Sequence, residues 1–85
     1  MGYFIYILEC SDGTLYTGIA QDIIKRLDEH NNSDKGAKYT RARRPVKLVY
    51  KEPSKDRSSA SKREYEIKKL TRIEKLQLIE NKVQS

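Results

Sequence analysis

The 85-residue sequence predicts an α+β fold, a small three-stranded antiparallel sheet flanked by three helices as a single layer pair. Three observations predict it. Two β-branched and aromatic runs near the start are separated by Ser11-Asp12-Gly13, which is a hairpin signature. A third alternating run, residues 46–51, is bracketed by Pro45 and Pro53. The intervening and following segments switch their apolar period from two to about 3.6.

The hairpin, residues 4–19, is the stretch around which the chain is organised. Its loop length decides which faces Tyr6 and Tyr16 occupy, because a one-residue slip of register moves every side chain to the other face. A two-residue Asp12-Gly13 loop sets Cys10 opposite Leu15 and puts the tyrosines on opposite faces. A three-residue loop, with Gly13 left-handed after a type I turn, pairs Cys10 with Thr14, Leu8 with Tyr16 and Tyr6 with Gly18. The second register is preferred. It gathers both phenols on one face and explains Gly18 as the missing side chain that makes room for the Tyr6 ring.

Residues 20–30 read as a short helix capped by Asp22, with Ile23, Ile24 and Leu27 as the buried stripe. Arg26 and His30 share a face beside that stripe. Residues 31–45 read as a basic loop: Lys35, Lys38, Arg41, Arg43 and Arg44 can neutralise phosphates, and Tyr39 among them can stack on an unpaired base. In the third strand Val46, Leu48 and Tyr50 are expected on one face, with Lys47 and Lys51 on the other.

A further helix is expected from Ser58 or Ser59 to Leu70, capped by one of those serines or by Asp56, with Ala60, Ile67 and Leu70 buried. Glu64 falls on or beside that apolar stripe, where a carboxylate needs a partner or a metal; an ion pair to Lys68 is the plain alternative. Thr71 and Glu74 form a capping box that opens a last helix running to about Val83. Its apolar side is Ile73, Leu76, Ile79 and Val83, and Gln84-Ser85 should fray.

At this length residues 1–85 are expected to form one domain with a thin core. Eighteen Lys and Arg against twelve Asp and Glu leave +6, a balance suited to a polyanionic partner such as nucleic acid. The single cysteine, Cys10, makes no internal disulfide and has no zinc-spaced partner. With no signal peptide and no run long enough for a bilayer, no membrane association is expected and the cytoplasm is the expected location.

Taken together, Tyr6-x9-Tyr16-x-Gly18-x7-Arg26-x3-His30, followed by Ala60-x3-Glu64, resembles the GIY-YIG nuclease superfamily, in particular its small stand-alone bacterial members. The resemblance covers nearly the whole chain. Phe4 replaces the glycine of the first signature and Thr17 the isoleucine of the second, and the family's late asparagine has no matched position. It implies a GIY-YIG-like fold, with Tyr6, Tyr16, Arg26 and His30 catalytic, Gly18 structural at the site and Glu64 holding one Mg²⁺ or Mn²⁺ ion, weakly bound without substrate. The implied activity is a divalent-metal-dependent endonuclease acting on DNA, directed by a branch, flap or single-stranded region rather than by sequence, in repair or processing. Tyr6 then takes the proton of the attacking water, which requires nearby cations to lower its pKa from about 10. The other readings are a nucleic-acid binding module that does not cleave and a basic structural protein associated with ribosomes.

Overall fold

The computed structural model describes residues 2–84. The side chains of residues 82–84 and all of Met1 and Ser85 lie outside that description, and with them Val83's expected place in an apolar stripe and the fraying of the tail. The elements run β1 (Tyr3–Glu9), β2 (Leu15–Ala20), α1 (Ile23–Asn32), α2 (Lys38–Arg41), β3 (Lys47–Ser54), α3 (Arg57–Lys68) and α4 (Arg72–Gln84). The fold is α+β, with one antiparallel sheet of order β2-β1-β3.

The hairpin has the three-residue register. Tyr6 pairs with Gly18 and Leu8 with Tyr16, and the Cys10 amide bonds the Thr14 carbonyl at 2.8 Å. Gly13 takes φ 84°, a conformation that strains other residues. Asp12 closes the turn by accepting from the amide and the hydroxyl of Thr14.

Central β1 buries Ile5, Tyr6, Ile7 and Leu8 in succession, so it has two apolar faces and needs cover on both. Ile5 and Ile7 pack with Tyr50, Ala60, Ile67, Leu78 and Ile79, beneath α3 and α4. Tyr6, Leu8, Cys10 and Val46 pack with Tyr16, Ile23, Leu27 and Leu48 on the other face, beneath α1. The expected one-sided layer pair is therefore a sheet with helices on both faces. The expected three helices are four, because the basic stretch winds through the single turn α2 rather than running as a loop.

A bulge between Ile7 and Leu8 in the pairing with β3 overturns the simple alternation of the third strand. Leu8 faces Leu48 while Ile7 faces Tyr50, so Tyr50 joins the α3 side and Val46 and Leu48 stay on the α1 side. The strand also continues through Pro53, which an edge strand tolerates because its outer N–H has no ladder partner. Asp56 caps α3 by accepting from the Ser59 amide at 2.7 Å, so the helix starts at Arg57. The Thr71–Glu74 capping box forms with both reciprocal bonds. Two apolar stripes differ from expectation. Ile24 is 83% exposed, and on α4 Ile73 and Leu76 face solvent while Leu78 and Ile79 reach the core. Where a helix has apolar residues all round, the face chosen is the one the sheet can cover.

Two arginines tie the second layer together. Arg44 donates from Nε to the His30 carbonyl and from Nη2 to those of Glu29 and Ser33, which satisfies orphan acceptors at the C-terminal end of α1. Arg43 donates to Asp12 in the hairpin turn and to the Tyr39 carbonyl, with its guanidinium 3.9 Å from the centre of the Tyr39 ring. Replacing Arg44 with alanine should therefore lower stability by about 1–2 kcal/mol, read as the urea midpoint. On the opposite face, the buried Thr17 hydroxyl has no hydrogen-bond partner among the described residues. Thr17→Val removes an unpaired polar group at nearly constant volume and should stabilise the fold by about 1 kcal/mol in the same experiment.

Candidate active site

The hairpin register and α1 bring the sequence-selected side chains together. Tyr6 projects toward α1 across Gly18, so closely that a Cβ at residue 18 would stand 2.5 Å from the Tyr6 hydroxyl. Asp22 fixes the start of α1 by accepting from the Lys25 amide at 3.0 Å. One helical turn apart, Arg26 and His30 then face the sheet. The Tyr6 hydroxyl lies 2.8 Å from His30 Nε2. Tyr16 meets the imidazole edge-on at 5.3 Å between ring centres and stacks on Tyr39 at 6.0 Å. Arg26 Nη1 donates to Glu29 at 2.9 Å and to the Lys35 carbonyl at 2.8 Å, which holds the guanidinium beside Tyr6.

His30 is fully buried, and its other nitrogen has a partner absent from the sequence reading. Nδ1 lies 2.8 Å from Thr40 Oγ1, and Thr40 donates its own proton to the Ala37 carbonyl at 2.9 Å. The only hint in the sequence is that Thr40 is an uncharged residue inside a run of cations, which does not mark it as a partner of His30.

The protonation states follow from burial. Burial pushes the Tyr6 phenol up to about 12, and Arg26 beside it only partly opposes this. Arg26 thus acts in the expected direction, but burial outweighs it. His30 is pushed down to about 4, first by burial and then by the Arg26 charge. At neutral pH the pair is a neutral phenol against a neutral imidazole.

Glu64 comes from a different element than the rest of this cluster. It is carried by α3 on the layer that covers the Ile5–Ile7 face, its side chain 24% exposed, with Lys68 Nζ at 3.5 Å. Its charge is nonetheless felt at the Tyr6 hydroxyl, which it disfavours ionising. Tyr50, Glu52 and Arg63 hold α3 against β3: Tyr50 donates to Glu52 at 2.6 Å and Arg63 to Glu52 at 2.8 Å. Among the described residues no group of three or more His, Cys, Asp or Glu is gathered for a metal. The available donor set is one carboxylate, which fits a hard divalent ion that keeps most of its water.

Of the cations in the basic stretch, Lys35, Lys38 and Arg41 are exposed, whereas Arg43 and Arg44 are engaged as described. Tyr39 is 38% exposed beside Arg43 and Tyr16.

A family model for the GIY-YIG catalytic domain matches residues 2–77. The UPF0213 protein DP2720 of Desulfotalea psychrophila is 60% identical over 77 residues, which cover 91% of this chain and 70% of that protein. The UPF0213 protein SERP0126 of Staphylococcus epidermidis is 56% identical over 78 residues, covering 92% and 94%. Two solution NMR structures are similar. The UPF0213 protein BH0048 from Bacillus halodurans aligns with a TM-score of 0.62 at 45% identity, over 96% of this chain and 86% of that one. Protein EF2693 from E. faecalis aligns at 0.68 and 41% identity, over 100% and 90%. A family match across nearly the full length, joined by relatives this similar, makes the chain a member of the GIY-YIG endonuclease superfamily.

Proposed function

We propose that the chain is a divalent-metal-dependent endonuclease that hydrolyses DNA phosphodiester bonds, directed by a branch, flap or single-stranded region rather than by sequence, in DNA repair or processing. The observation that carries this reading is a buried phenol hydrogen-bonded to a neutral imidazole, with an arginine fork beside it.

Hydrolysis needs a base for water and a counter-charge for the phosphorus oxygens. With the Tyr6 pKa at about 12, a free phenolate is present at about one part in 10⁵ at pH 7, so a pre-ionised tyrosine is a poor base. A relay avoids it. Tyr6 accepts the proton of the attacking water while its own proton passes to His30 Nε2. The water oxygen forms the new bond to phosphorus, the ester bond opposite breaks with its electron pair, and the leaving oxygen is protonated from solvent. A diester anion bound at Arg26 offsets the guanidinium charge that helps hold His30 near 4, so the imidazole becomes more basic once substrate is in place. The planar fork of Arg26 grips phosphate oxygens in a way a lysine does not reproduce. Tyr16 borders the imidazole and orients the water or the phosphate.

Glu64 would hold one Mg²⁺ or Mn²⁺ ion, which when bound supplies neutralisation of charge developing on phosphate oxygens. Exposed Lys35, Lys38 and Arg41 contact the flanking backbone, and Tyr39 offers a surface to an unpaired base. The site of action is the cytoplasm, where branched or flapped DNA is met.

Tyr6→Phe and Glu64→Ala should each reduce cleavage by about 10²- to 10⁴-fold. The assay is a panel of flapped, branched, single-stranded and duplex DNAs in Mg²⁺ or Mn²⁺ at fixed salt. Nicking at the parent rate by either variant overturns the assignment, and DNA shifted but uncut after long incubation in Mn²⁺ leaves a binding module.

The buried imidazole also sets a pH dependence. The unfolded chain binds a proton at about 6.5 and the folded one only near 4, so acid favours unfolding. Stability from this group is full above about pH 7, falls as pH drops from 6.5 to 4 by roughly 3 kcal/mol, and changes no further below that. The ring resonances of the sole histidine should titrate near pH 4. A midpoint near 6.5 overturns the burial-depressed imidazole and the stability loss in acid that follows from it.

A further inference from the structure

We propose that Thr40 is a positioning residue that sets the tautomer of His30, and with it the direction of the hydrogen bond between His30 and Tyr6. The catalytic consequence rests on the proposed nuclease reading; the tautomer itself does not.

The argument is one of donors and acceptors. Thr40 Oγ1 has one proton, and the Ala37 carbonyl 2.9 Å away takes it, since a carbonyl oxygen can only accept. The lone pairs of Oγ1 are then what face His30 Nδ1 at 2.8 Å, and that contact requires a proton on Nδ1. A neutral imidazole has one N–H, so Nε2 is bare. The 2.8 Å contact between Nε2 and the Tyr6 hydroxyl therefore runs from Tyr6 to His30. The direction is set at a backbone carbonyl and passed along through two side chains. It leaves at Nε2 the lone pair that a relay from Tyr6 needs.

The chain is built so that Thr40 is held in this place. Thr40 is fully buried although Tyr39 and Arg41 on either side of it are exposed. It sits in α2, whose N-terminal cap residue, Ala37, also provides the acceptor carbonyl. The preceding Gly36 lies against α1 so tightly that a Cβ there would stand 2.7 Å from the Glu29 carbonyl oxygen and 2.8 Å from the His30 Cα. Arg43 anchors the other end of α2 to the hairpin turn through Asp12, and Ser11 donates its amide to the Arg43 carbonyl at 2.9 Å. The whole turn is thus clamped with one hydroxyl aimed at one ring nitrogen.

Without that hydroxyl, an Nδ1 proton loses the acceptor it faces. The imidazole then prefers its proton on Nε2, donated to the Tyr6 oxygen, and the hydrogen bond reverses. Thr40→Val tests this at nearly constant shape, and Thr40→Ser restores the hydroxyl.

The readout is the ring nitrogen spectrum of ¹⁵N-histidine-labelled protein without metal at pH 7, in which the single histidine leaves no ambiguity. The parent and Thr40→Ser should show a protonated Nδ1 and a bare Nε2. Thr40→Val should move most of the population to protonated Nε2. A parent with its proton on Nε2, or Thr40→Val keeping the proton on Nδ1, overturns the proposal. Should Thr40→Val fail to fold, Thr40→Ala and the parent spectrum decide by the same criterion. In the DNA assay, Thr40→Val should lower kcat by about 100-fold, the scale of a lost general base, with KM little changed and rescue by Thr40→Ser. A tautomer change in a parent that cuts nothing supports the positioning role while removing the nuclease reading.

Discussion

Tyr6 can reach His30 only because residue 18 lacks a side chain and because the hairpin register puts the two opposite each other. Both conditions depend on the three-residue turn at Ser11-Asp12-Gly13. A two-residue turn slips the register and sends one tyrosine to the α3 side of the sheet. The turn is accordingly secured from several directions. Thr14 closes it through Asp12, Arg43 reaches Asp12 from the stretch after α2, and Arg72 at the start of α4 donates to the Gly13 carbonyl at 2.7 Å. Two segments far apart in sequence, together with the turn's own Thr14, hold the residues that decide where two phenols point.

The same arrangement merges site and core. In a chain this short, Tyr6 and His30 are among its most buried side chains. A buried histidine resists protonation and a buried phenol resists ionisation, so the fold is most stable with both neutral. That state also fits a proton relay, in which no free charge has to be stored before substrate arrives. Stability and the proposed chemistry favour the same protonation state over the neutral range, and they part only in acid.

Much of this was legible from residue order. Turn chemistry and period-two alternation gave the hairpin register. Helical spacing put Arg26 and His30 together, and Thr71 with Glu74 marked the start of α4. The features that escaped share a cause: each is decided by long-range packing. The bulge opposite Ile7 and Leu8 moves Tyr50 to the far face, although residues 46–51 alternate cleanly on paper. Ile24, Ile73 and Leu76 are as apolar as their buried neighbours, and only the position of the sheet decides which of them it covers. Arg43 and Arg44 look like phosphate contacts by composition, and residue order does not show that a turn and a helix end also take donors from each. Thr40 carries no sequence signal because its importance lies in the geometry of its neighbour's second nitrogen.

The placement of Glu64 fits a carboxylate that must be available without being left unpaired. Its contact with Lys68 joins i to i+4 on one helix at 3.5 Å, with the lysine more than half exposed. Such a pair contributes little to stability, because solvent screens it and two long side chains must be held still to form it. Breaking it is correspondingly cheap. In the resting protein Lys68 offsets a negative charge that acts on the Tyr6 hydroxyl. Under the proposed function, a divalent cation replaces that ammonium with little loss of folding energy, and a carboxylate buried deeply enough to need a permanent partner would lack this freedom.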